Sequence, residues 1–97
     1  RVAETLAVTR EEWARIAAEG PTEEELADAV AYLTGSLPLQ FTDSRRVSDA
    51  LLALRQNDRP PEWLAGRPAR LAALGRERVA AVAKRLLAPA ALSVVVA

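Results

Sequence analysis

The 97 residues contain no His and no Cys, so the acidic side chains are the main candidates for acid, base or metal-ligand chemistry. That absence excludes a Ser-His-Asp triad, a thiol nucleophile, a haem histidine, a disulfide and an ordinary zinc site. The carboxylates cluster at Glu11-Glu12 and at Glu23-Glu24-Glu25. Neighbours in sequence fan out around a helix instead of converging on one point, so both runs read as helix cap and solvent face. No calcium-loop spacing is present, and the glycines stand singly at Gly20, Gly35, Gly66 and Gly75, which provides no phosphate-binding loop. Tyr32, close to Gly35, is the one candidate for a substrate-facing side chain. Trp13 and Trp63 read as packing residues before ligand platforms. Arg67, Arg70, Arg76 and Arg78 form the densest basic cluster, joined more loosely by Arg55 and Arg59. With only Trp63 interleaved for base stacking, this cluster reads as a solvated face, with an anionic partner as the alternative.

Thirteen basic residues balance thirteen acidic ones, which argues against a nucleic-acid partner. No apolar run approaches the roughly 18–20 residues that cross a bilayer, so no membrane partner is expected. The basic residues are twelve Arg and one Lys, and with 21 Ala this suggests a GC-rich genome rather than arginine-specific recognition. The sequence opens at Arg1 with neither Met nor a signal-peptide pattern and reads as a processed or excised piece. The compartment, bacterial cytoplasm or periplasm, stays open.

The elements that must position these side chains follow from periodicity and punctuation. Val2, Leu6, Thr9, Trp13 and Ile16 form one stripe of a helix over 2–19, stopped by Gly20-Pro21. Glu11 and Arg15 are spaced as an exposed pair on it. Thr22 through Glu25 fits a capping box, opening a helix over about 22–37 with Leu26, Ala29/Val30, Leu33 and Leu37 on one face. Pro38 breaks or kinks the chain before Thr42. Thr42 or Asp43 caps a helix to about Gln56, with Val47, Leu51 and Leu54 apolar and Arg45/Asp49 as an exposed pair. After Asn57–Pro61, Pro61 and Pro68 each suit the first position of a short helix, over about 61–66 and 67–74. Gly75 precedes a helix over 76–87 with Val79, Val82/Ala83 and Leu86 inward.

The end differs in kind. Leu92-Ser93-Val94-Val95-Val96-Ala97 is β-branched and apolar on both faces, the pattern of a strand covered on both sides. Residues 1–91 offer no second strand to pair with it, and unpaired strand backbone is costly to bury. The expected fold is therefore α+β: a mostly helical fragment of about five helices, ending in one strand of a sheet completed outside the chain. Residues 1–97 would form part of a single domain, and residues 92–97 would pair with another chain or a second copy.

Over residues 19–97 the pattern resembles the C-terminal domain of insulinase-type (pitrilysin) zinc metallopeptidases. The resemblance runs through Glu19–Leu26, Ala27–Leu39, Thr42–Val47, Leu51–Leu54, Arg59–Leu64, Pro68–Leu71, Val79–Leu87 and Leu92–Val96, in order and with matching gaps. Gly75, where the family usually has Thr, and the turn Ala88–Ala91 depart from it. The resemblance implies a clamshell of two homologous halves around a peptide substrate. One half carries zinc on an inverted His-x-x-Glu-His motif, whose Glu activates water. The half resembled here usually lacks those ligands and supplies chamber wall. With no His, this chain receives no catalytic, cofactor or metal residue from the family, and the zinc belongs to the partner half. The family's substrate-binding Arg and Tyr fall in a segment with no counterpart in residues 1–97.

The expected function is thus that of a non-catalytic substrate-chamber domain, with the catalytic half, in the same protein or a partner subunit, doing the hydrolysis. The rivals are a structural scaffold subunit of the same fold without peptidase activity, and an unrelated helical interaction module.

Overall fold

The computed structural model describes residues 1–97, and their contacts fall into two units: Arg1–Leu26 with Gly75–Ala97, and Ala27–Leu74. Six α-helices account for most of the chain: α1 (Val2–Glu19), α2 (Glu23–Ser36), α3 (Ser44–Gln56), α4 (Glu62–Ala65), α5 (Arg67–Ala72) and α6 (Arg76–Leu86). Two 3-10 turns, Pro38–Phe41 and Pro89–Ala91, complete the elements, and the unit boundary falls inside α2.

In the first unit, α6 packs along α1 and the Pro89–Ala91 turn also touches α1. The two helices run antiparallel. Gly20 at the end of α1 meets Ala80 near the start of α6, whereas Trp13 and Ile16 share a cleft with Leu87 just beyond its end. Small residues make this crossing: Ala17 and Ala83, one turn along from Gly20 and Ala80, are buried. Gly20 itself has φ 71° and ψ −174°, a combination essentially open to glycine alone.

The capping box opens α2 as the sequence predicts. The Glu25 amide donates to Thr22 Oγ1 at 3.1 Å, and the Thr22 amide donates back to Glu25 Oε2 at 2.8 Å. Arg15 does not pair with Glu11. It bridges Glu12 (3.0 Å) and Glu25 (2.8 Å), tying α1 to the first turn of α2. The Thr22 amide first, and then the Arg15 guanidinium, hold the Glu25 carboxyl below its ordinary value of 4.5. Since the folded value is the lower one, this contribution to stability is present above about pH 4.5 and is lost as pH falls through the folded value. Acidification from pH 6 to below 4 is expected to lower the thermal midpoint more in the wild type than in Glu25→Gln. Parallel curves for the two proteins would show that Glu25 has no such role.

In the second unit, α3 packs on the Pro38–Phe41 turn and α4 on α5. Asp43 rather than Thr42 caps α3, accepting from the Arg46 amide at 2.9 Å, and its other oxygen lies 3.4 Å from Arg46 Nε. This replaces the expected Arg45/Asp49 pair. Leu54 is the one buried side chain of the unit, while Val47 and Leu51 remain 36% and 46% exposed.

Glu62–Ala65 and Arg67–Ala72 are the two separate short helices expected after Pro61 and around Pro68, which brings the count to six, next to the expected about five. The fold class is corrected. It is not α+β: 75% of the chain is helical and it contains no strand and no sheet. Beyond the Pro89–Ala91 turn, which the Leu92 amide closes on Pro89 O, the tail takes part in no backbone ladder. Val94, Val95 and Val96 are 38%, 92% and 59% exposed. The composition of a segment sets its preference for extended backbone, but strand structure requires a neighbour to bond with, and none lies within the chain. Leu86, expected inward, is likewise 62% exposed.

The accessible surface totals 7756 Å², whereas two compact bodies each of half the 10.4 kDa mass would together expose about 6,500 Å². Large apolar side chains lie exposed on it, among them Leu33, Leu39, Leu51, Leu52 and the terminal valines.

Candidate functional site

The arginines that cluster in sequence fall in different units and take up separate tasks. Arg76 belongs to the α1–α6 unit. Its Nε donates to Pro21 O at 2.8 Å and its Nη2 to Glu19 O at 3.0 Å, clamping the carbonyls on either side of Gly20. Gly75, at the N-cap of α6, has no side chain to bond the start of the helix. The neighbouring Arg76 ties that start to the end of α1 instead.

Arg70 and Arg59 belong to the other unit and converge on Trp63. The Arg70 guanidinium carbon sits 3.9 Å from the Trp63 ring centroid, and Arg70 Nη2 donates to Trp63 O at 2.6 Å. Gly66 makes room for this fold-back, because a Cβ there would meet Arg70 Nη1 at 2.8 Å. Arg59 reaches the same ring at 5.4 Å. Each contact is a cation–π interaction worth about 0.5–1 kcal/mol at an exposed site.

A Schellman turn at the end of α3 places Arg59. The Arg59 amide bonds Leu54 O at 2.9 Å and the Asp58 amide bonds Arg55 O at 3.2 Å, with Asp58 at φ 52°. Asp tolerates this left-handed conformation better than most residues, and Asn57 supports it by donating from Nδ2 to Ala53 O at 2.8 Å. The turn leaves two shallow clefts, of about 530 and 360 Å³. Leu51, Leu54, Arg55, Asp58, Pro60 and Pro61 line the larger, and Ala50, Ala53, Asn57 and Trp63 the smaller, which also reaches Leu54. Arg59 lines both. The ion pairs of the chain involve only Arg15 and Arg46, so Arg59 has no carboxylate partner.

The other candidates do not line these clefts. Tyr32 stands 72% exposed on α2 and lines neither cleft. Trp13 is half-buried in the first unit, and its Nε1 is buried without a hydrogen-bond partner beside a cleft of about 420 Å³. The sequence places Arg59, Arg70 and Trp63 in one basic cluster but reads it as a solvated face, without the convergence of both arginines on the ring. The signal for that convergence is Asn57-Asp58 ahead of Pro60-Pro61, a helix stop that turns the chain back on itself.

No three or more acidic side chains come together as a cation site, and with no His or Cys the donor set does not fit zinc. No helix is long and apolar enough to cross a membrane. In comparisons of the chain with family models, curated proteins and solved structures, nothing matches.

Proposed function

We propose that the chain is a non-catalytic wall domain of an insulinase-type zinc metallopeptidase, confining a peptide that a separate catalytic half hydrolyses. The ordered resemblance over residues 19–97 supports the family. The observation that carries the role is the exposed area, which exceeds that of two separate compact bodies by about 1,300 Å², more than the roughly 800 Å² that one partner buries in a standard interface. Helices with one uncovered apolar face are what a wall domain presents to the structure it closes upon. The exposed tail Ser93–Ala97 is part of the surface so covered. Chemistry stays with the partner half, where zinc-bound water is the nucleophile. This chain contributes containment and orientation of the peptide, which lower the entropic part of the barrier.

The test is reconstitution. The purified chain alone is expected to give no chelator-sensitive cleavage of a quenched fluorescent peptide. Mixed with an insulinase-type half bearing His-x-x-Glu-His from the same genome, it is expected to raise that half's kcat/KM at least tenfold. Chelator-sensitive cleavage by the chain alone, or no association with the half, overturns the reading. Stable association without any gain in cleavage would point to the scaffold role instead.

A further inference from the structure

From the two clefts that meet at Arg59, we infer a docking groove for an extended acidic peptide segment, one carboxylate flanked by apolar side chains. The inference rests on the peptide-binding role above and names the class of sequence that role selects. Leu54 and Arg59 line both clefts, so the two adjoin with a guanidinium at their junction. Leu51, Pro60 and Pro61 make the apolar wall on one side, and Ala50, Ala53 and Trp63 make it on the other. The clefts are shallow, a shape suited to an extended chain rather than an enclosed small molecule.

Charge selects the acid. Arg59 and Arg55 line the larger cleft against a single opposing carboxylate, Asp58, and the smaller cleft holds Arg59 and no acidic side chain. Arg70 is already engaged with Trp63 O, which fixes the indole and leaves Arg59 as the free guanidinium over the same ring. A planar guanidinium binds a carboxylate through two parallel N–H donors, a geometry that Lys cannot reproduce. The Schellman turn holds the Arg59 backbone through its amide, so replacing the side chain leaves that bond in place.

Trp63 reports on its own occupancy. In a Trp13→Phe background it is the sole tryptophan, and its emission is followed during titration with a capped heptapeptide carrying one glutamate between two leucines. Counterparts with glutamine or lysine in place of the glutamate complete the set, and calorimetric titration of the wild-type chain reads the same affinities without any substitution. The glutamate peptide is expected to bind about tenfold more tightly than the glutamine peptide, and the lysine peptide more weakly still. Arg59→Gln is expected to abolish the discrimination and Arg59→Lys to restore only part of it, with unchanged far-UV circular dichroism in both. Equal affinity for the three peptides, or discrimination that survives Arg59→Gln, overturns the groove. The reconstitution assay reads cleavage, not affinity for this peptide, so loss of the groove and loss of the wall-domain role are separately visible.

Discussion

Gly20→Ala is expected to lower the stability of the α1–α6 pairing by about 3 kcal/mol or more, the sum of a strained backbone and a steric overlap. The backbone at φ 71° and ψ −174° lies where a side chain is disfavoured whatever the space around it. The added Cβ would also fall onto the Cβ of Ala80 and 2.9 Å from its Cα. Neither atom is the end of a flexible side chain, so relief requires the two helices to move apart. Separation would expose Ala17 and Ala83, the only buried side chains of that unit. The expected readout is a large fall in thermal midpoint and loss of amide protection in α1 and α6. Gly35→Ala is the control: nothing lies within 4 Å of a Cβ at that helical position, and stability should rise by up to about 1 kcal/mol. If the two substitutions had equal effects, close approach at Gly20 would not be what joins the helices.

Arg76→Met is the second large effect, expected at about 2 kcal/mol for two charge-assisted hydrogen bonds, one of them part-buried. Met keeps most of the aliphatic stem, so the loss isolates the donors to Pro21 O and Glu19 O. Arg76→Lys is expected to recover less than half, since one ammonium on a flexible stem does not reproduce the guanidinium fork spanning both carbonyls. Both Gly20 and Arg76 act on the same joint, so the double variant should lose less than the sum of the single losses. Strict additivity, or an Arg76→Met melt matching the wild type, would mean that the clamp does not support the crossing.

These effects are large because no large side chain of the first unit is fully buried. Ala17, Gly20 and Ala83 are its buried residues, while Leu6, Trp13, Ile16, Val79 and Leu87 are only partly covered. A glycine-permitted crossing and one arginine therefore carry a share of stability that a larger core would spread over many side chains.

The helices were legible residue by residue. Gly20-Pro21, Thr22 with Glu25, Asp43, Pro61, Pro68 and Gly75 each mark a helix boundary through local chemistry, and α1, α3 and α6 start and end within a residue or two of expectation. The terminal segment was misread because β-branched composition reports preference, whereas a strand is a relation between two stretches of backbone. The candidate site was misread for a related reason. Arg67, Arg70, Arg76 and Arg78 look like one patch in sequence, but the break at Gly75 sends Arg76 to the turn around Gly20, while Arg70 folds onto Trp63.

By itself the sequence determined where helices start and stop, because caps and breakers act over three or four residues through bonds to their own backbone. It also fixed that the chain has neither His nor Cys, because that is a matter of which side chains exist at all. Only tertiary structure decided that Gly20 faces Ala80, that Arg76 clamps the turn beside it, and that Arg59 stands unpaired between two apolar clefts. Those relations join residues up to 60 positions apart, as Gly20 and Ala80 are, and no local rule of backbone chemistry reaches that far.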